Sequence, residues 1–256
     1  MLLRIFMFGL LAVSLASCVS DGPPNPLSTK KGRETARDAY IQLGLGYLQE
    51  GDIERAKGPL NKALELDSRS SNANAAMALV FQSEMEPELA DEHFRRALSS
   101  SSKGVGRTRI LNNYGSFLYE QGRYKEAMKR FNKASDDSMY AGRPRVFENL
   151  GLAALKLNKT DKAQEYFERA LRLDPKRPQA LLEMAEMARV KNEYTKALAY
   201  YQRFVDLSAQ TARSLLIGAR LADHTGDRDR AKSLGLQLKK LYPETPEYQQ
   251  YLSDLP

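Results

Sequence analysis

The chain has 256 residues, a net charge of +7, two histidines and a single cysteine. One thiol excludes an internal disulfide, and two histidines without a second His or Cys at ligand spacing speak against a metal centre. The 39 basic residues are scattered among 32 acidic ones and form no long block of like charge, which excludes a basic nucleic-acid-binding arm and suits solvated helical faces.

The first element is the stretch "MLLRIFMFGLLAVSLASC". Arg4 precedes an apolar run from Ile5 to Leu15, and the small residues Ala16 and Ser17 follow, as in a secretory signal peptide. The run is about eleven residues, whereas a bilayer span needs about 20. Its last four letters, "LASC", resemble the bacterial lipobox, which is cleaved before a cysteine that carries diacylglycerol. That resemblance implies that residues 1–17 are removed and that Cys18 becomes the lipidated first residue. An ordinary signal peptide with an incidental cysteine is the alternative. Acyl chains contribute about 0.8 kcal/mol per buried methylene, so two or more anchor a protein stably. The lipoprotein-sorting rule retains a protein at the inner membrane when Asp follows the cysteine; Val19 therefore implies the outer membrane.

Residues 18–36 follow as the expected flexible tether, since "VSDGPPNPLSTKKGRETA" has no apolar period and is rich in Pro, Ser, Thr and Gly. As a coil it reaches roughly 24 Å root-mean-square.

From residue 37 a pattern recurs, with units starting near Arg37, Ser71, Thr108, Pro144, Pro178 and Ala212. Gly115, Leu118, Ala127, Phe131 and Ala134 of the third unit match Gly151, Ala154, Ala163, Phe167 and Ala170 of the fourth. Small residues at positions eight and twenty let two antiparallel helices approach, and a large residue at position twenty-four fills the gap between them. Turn signals "EGD" (50–52), "QGR" (121–123) and "TGD" (225–227) separate the two helices. The period resembles that of the tetratricopeptide (TPR) repeat, 34 residues. The resemblance implies an all-α, right-handed superhelical solenoid of six repeats over residues 37–245, about twelve antiparallel helices, with residues 246–256 as a C-terminal extension. The sixth repeat is degenerate, with Gly235 where the large residue belongs, as in a terminal cap. Longer inter-repeat loops are expected at "SSSSKGVG" (99–106) and "DSMYAGRP" (137–144).

No constellation for catalysis or phosphate binding occurs in the sequence, so neither enzyme activity nor a cofactor nor a small-molecule substrate is expected. His93 and His224 are expected to be structural, and Glu183 and Glu186 to share a solvated face.

Binding is expected on the inner face of the solenoid, which repeat positions 2, 5, 9, 12 and 13 line by family geometry. In the first repeat these are Asp38, Ile41, Leu45, Leu48 and Gln49. Ile41, Leu45 and Leu48 form one helical stripe, a candidate apolar groove for a partner's helix or strand, while Leu43, Gly44 and Tyr47 are expected to pack inward. Alternatively the preceding segment folds back and covers the stripe. TPR domains that clamp a C-terminal carboxylate carry Asn at position nine of the first repeat; Leu45 speaks against that mode. The third and fourth repeats offer Arg109, Asn112, Tyr119, Glu120, Arg145, Glu148, Leu152 and Leu155, with Tyr119 as an aromatic anchor.

Signal, tether and repeats together resemble the type IV pilus biogenesis lipoproteins of the PilF/PilW kind. "YIQLGLGYLQEGDIERAKGPLNKALELD" (40–67), "LNNYGSFLYEQGRYKEA" (111–127), "FENLGLAAL" (147–155) and "GLQLKKLYPETPEYQQYL" (235–252) carry that likeness. It implies a pilotin: a monomeric lipoprotein on the periplasmic face of the outer membrane that brings pilus secretin subunits there and promotes their multimerisation. A scaffold for β-barrel insertion and a regulator of a periplasmic cell-wall enzyme are the alternatives.

Overall fold

A computed structural model of the chain describes residues 26–254, so Cys18, Val19 and the signal segment lie outside the described residues. All regular structure among the described residues is helical, and it divides into two compact units that meet in sequence at Ser68 and Arg69.

The first unit is one helix pair, α1 (Lys30–Gln49) and α2 (Ile53–Leu66), preceded by a 3-10 turn at Pro26–Ser28. The α1 helix begins seven residues before the expected repeat, so residues 30–36 are helical and are not part of a coil. Thr29 is the reason: it sits extended and its hydroxyl accepts from the Gly32 amide at 3.0 Å, supplying the cap that starts the helix. At the crossing with α2, a Cβ on Gly44 would fall 2.5 Å from Leu60 Cγ, so only glycine permits this approach. Ala56, Leu60 and Ala63 complete the buried face of α2. Arg37 ties the pair together by reaching Asp67 at 3.1 Å.

Two expectations for α1 are corrected here. Ile41 is buried at 3% exposure rather than open in a groove, and Leu43, expected inside, is 47% exposed. At 100° per residue Ile41 and Gly44 lie 60° apart, so Ile41 shares the packing face; Leu43 points nearly opposite Ile41.

The second unit contains α3 (Ser71–Ser83), α4 (Pro87–Ser100), α5 (Val105–Glu120), α6 (Tyr124–Ser135), α7 (Arg143–Lys156), α8 (Thr160–Leu173), α9 (Pro178–Val190), α10 (Tyr194–Val205), α11 (Ala212–His224), α12 (Arg228–Leu241) and α13 (Pro246–Asp254). Odd and even helices pair, and each of α3 to α9 also meets the next odd-numbered helix. The core runs continuously through these pairs, from Ala78 to Leu221. Phe131 and Phe167 close the gap opposite Gly115 and Gly151, as the sequence pattern requires.

The fifteenth residue of every repeat has a positive φ: Gly51, Met85, Gly122, Asn158, Asn192 and Gly226. The turn between paired helices is thus the same in all six repeats. Five use glycine or asparagine, which tolerate the left-handed region; Met85 does not share that tolerance.

The inter-repeat loops differ from expectation in one case. Residues 136–142 do form a longer loop, but only residues 101–104 separate α4 from α5. The extra residues there lengthen α5 to 16 residues instead.

Residues 246–254 are helical too. Tyr248 and Tyr251 of α13 pack against a small terminal core of Leu215, Leu216, Ala219, Leu234 and Leu238. Arg220 of α11 pairs with Asp254 at 2.7 Å. The solenoid end is therefore covered by a single helix in place of a further repeat.

Candidate partner-binding surface

Within the second unit, the α5, α6 and α7 helices enclose a cleft of about 250 Å³ lined by Ser116, Tyr119, Glu120, Phe131, Asn149 and Leu152. Tyr119 and Leu152, both expected on the binding face, are brought together here. The Tyr119 ring is half-buried and meets Tyr124 edge-on, with centroids 5.2 Å apart. Burial pushes the Tyr119 phenol pKa upward, Tyr124 and Glu183 add to this, and Arg213 opposes it. The hydroxyl is therefore a neutral donor, suited to a polar atom on a partner. Leu155 is half-buried as well, one turn beyond Leu152.

The remaining expected residues divide between surface and interior. Arg109 and Arg145 are exposed, and Arg109 donates to Asn72 Oδ1 at 3.3 Å. Glu120 is exposed and accepts from Gln82 Nε2 at 2.6 Å. Asn112 is corrected: it is 4% exposed and lies beneath the surface, where its Oδ1 accepts from Asn149 Nδ2 at 3.3 Å. Asn149 also faces Ser116 Oγ at 3.4 Å. A buried amide needs such a partner, so this polar pair fixes α5 against α7 and positions the cleft floor. Asn149 was not anticipated; its only sequence signal is its place directly before the apolar run "LGLAAL" (150–155).

Glu148 and Glu183 are also corrected, because both are buried rather than displayed. Glu148 accepts from the Ala180 amide at 3.2 Å and pairs with Arg177. Glu183 takes a two-pronged pair from Arg213, at 2.5 and 2.7 Å, and the contact raises the Arg213 pKa above its ordinary value. The Glu148–Ala180 hydrogen bond and the Glu183–Arg213 pair each join one repeat to the next, and a buried carboxylate is tolerable only when matched in this way. These charges are consumed within the fold. The exposed part of the face is left to Tyr119, Leu152 and Leu155 with a polar rim.

In the first unit, Leu45 and Leu48 are half-buried and Gln49 is exposed, so the expected stripe survives without Ile41. The histidines engage neighbours: His93 Nδ1 lies 3.0 Å from Asn74 Oδ1, and His224 stacks on Tyr194 at 4.9 Å. No group of three metal-capable side chains occurs among the described residues.

Helix pairs with this packing code and a groove-lining first helix define a tetratricopeptide repeat protein, the class of protein-interaction scaffold. Tetratricopeptide repeat models match residues 38–70, 107–176 and 149–212. The type IV pilus assembly protein PilF of Pseudomonas aeruginosa is 55% identical over 254 residues, 99% of this chain and all of the relative. The chain belongs to the PilF family. A solved structure of P. aeruginosa PilF superposes with a TM-score of 0.83, covering 88% of this chain and 100% of that one. A crystal structure of PilW, described as a widely conserved type IV pilus biogenesis factor, superposes at 0.72 with 28% identity, covering 84% and 98%.

Proposed function

We propose that this chain serves type IV pilus biogenesis as a pilotin. The observation that carries the reading is the end-to-end likeness to a type IV pilus assembly protein. In this reading Cys18 bears the lipid that addresses the chain to the periplasmic face of the outer membrane. A short lead then connects the anchor to α1. The repeats capture an apolar segment of an unassembled secretin subunit, so that sorting of the lipoprotein carries its cargo and favours ring assembly. The chemistry supports capture of a polypeptide: Tyr119 offers an aromatic surface with a hydroxyl donor, Leu152 and Leu155 extend it, and Leu45 and Leu48 offer an apolar stripe in the first repeat.

The test compares cell envelopes with and without the gene for heat-stable secretin oligomer in the outer-membrane fraction. Loss of oligomer with other barrel proteins unchanged is expected. Unchanged oligomer overturns the pilotin reading, and general depletion of barrel proteins favours a β-barrel assembly scaffold.

A further inference from the structure

A second cleft, of about 310 Å³, lies between α11, α12 and α13. Its origin can be traced through the repeat code. In the third and fourth repeats a phenylalanine at position twenty-four fills the space opposite the glycine at position eight. In the sixth repeat these positions are Gly235 and Ala219, so no side chain of α12 fills that space. Tyr251 enters from α13 and takes the place beside Gly235, and the cleft next to it has Ala219 and Ala231 with the tyrosine ring as its apolar lining.

The rim is cationic. Arg228 and Lys232, one turn apart on α12, are exposed and enter no ion pair among the described residues. Arg220 is already committed to Asp254, and Asp223 is the single uncommitted acid on the rim. Arg220 and Asp223 hold repeat positions nine and twelve, as Ser116 and Tyr119 do in the first cleft, so both clefts open beside the same stretch of a repeat's first helix.

We propose that this terminal cleft is a separate peptide-binding site, whose ligand is an acidic polypeptide segment with one bulky apolar side chain. The apolar side chain enters beside the Tyr251 ring, over Ala219 and Ala231. Carboxylates flanking it meet Arg228 and Lys232. The site does not depend on the pilotin reading.

The test is fluorescence anisotropy with the purified full-length chain in neutral detergent and a labelled peptide in which one Phe is flanked by Asp and Glu. Saturable binding is expected. It should weaken at least tenfold for the Arg228→Gln/Lys232→Gln protein, whose changes lie on exposed positions, and to a similar extent for a peptide with Ala in place of Phe. Absence of saturable binding overturns the proposal, as does equal affinity for the double variant or for the Ala peptide. Binding to phosphatidylglycerol vesicles that needs Arg228 and Lys232, when the peptide fails to bind, also overturns it and reassigns the cleft to anionic headgroups.

Discussion

Tyr251 of α13 lies so close to Gly235 of α12 that a Cβ on the glycine would stand 2.1 Å from the tyrosine hydroxyl. The large residue that the repeat code requires is thus supplied from sixteen positions further along the chain. Each residue explains the other: glycine makes the room and tyrosine takes it.

This pairing predicts a sign reversal. Gly235→Ala alone should destabilise the protein by about 2 kcal/mol, the range for overpacking a filled site. Tyr251→Ala should cost about 2 kcal/mol, below the figure for a fully buried ring because Tyr251 is half-exposed. In the Tyr251→Ala background, Gly235→Ala no longer meets the ring and should stabilise by up to about 1 kcal/mol through helix propensity. Urea unfolding of the four proteins measures the cycle, and additive effects would remove the packing explanation.

Met85 makes a different prediction. It adopts φ 60° at the repeat position that elsewhere holds glycine or asparagine, and its side chain is 88% exposed. Nothing buried is lost when it is removed, while a non-glycine residue in the left-handed region is strained by about 1–2 kcal/mol. Met85→Gly should therefore raise stability by about 1 kcal/mol, less than the full strain because glycine has more freedom to lose on folding. Asn158→Ala, at the same repeat position, should lower it. A lower melting temperature for Met85→Gly would show that the turn does not hold this strain.

The regularity that made these positions interpretable was visible in the sequence. Small residues at positions eight and twenty and a ring at twenty-four are short-range constraints, repeated often enough to declare the helix pairs. What escaped were relationships that the period does not encode. The α13 tyrosines lie beyond the last repeat, so the sequence marks Gly235 as part of a degenerate terminal cap without showing what fills its place. The prolines before Leu27 suggested coil, and the Thr29 cap that starts α1 rests on one hydroxyl. At the candidate surface, Tyr119 and Leu152 were legible because positions twelve and nine face the groove. Asn112 was misplaced because its partner Asn149 belongs to the next repeat. Ile41 differs from Leu45 by only 40° around the helix, enough to move it from rim to core.

Acidification should weaken the fold in two separate windows. Burial lowers the His93 pKa below its ordinary 6.5, Arg96 adds to this, and Glu92 opposes it. Between the folded value and 6.5 the unfolded chain binds more protons, so stability falls as pH drops through that interval. The Glu126 carboxylate is lowered by its hydrogen bonds from Arg123, and its contribution is lost only below the ordinary 4.5. Half the Glu126 side chain is exposed, so solvent screening keeps its share small. Urea midpoints measured from pH 7.5 to 5 should decline for the unaltered chain and decline less for His93→Gln. Parallel curves would assign the decline elsewhere.

The two candidate capture surfaces can be separated because they lie on different units. An aromatic anchor in a well-packed cleft typically contributes about 2 kcal/mol to binding, or roughly thirtyfold in affinity. Tyr119→Ala should therefore reduce recovery of secretin subunits with the purified protein by that order, and Leu152→Asp should do the same by placing a charge against the Tyr119 ring. Leu45→Asp alters only the first repeat, and it should abolish heat-stable secretin oligomer if the apolar stripe is the capturing element. Helical circular dichroism must be unchanged in all three, since Leu45 and Leu152 are half-buried and a charge there weakens packing as well as binding. Loss in one set alone assigns capture to that surface, and loss in both means that the client spans the two. Normal oligomer in every variant would leave neither surface with a role, while the lipid address would still stand to be tested by Cys18→Ser.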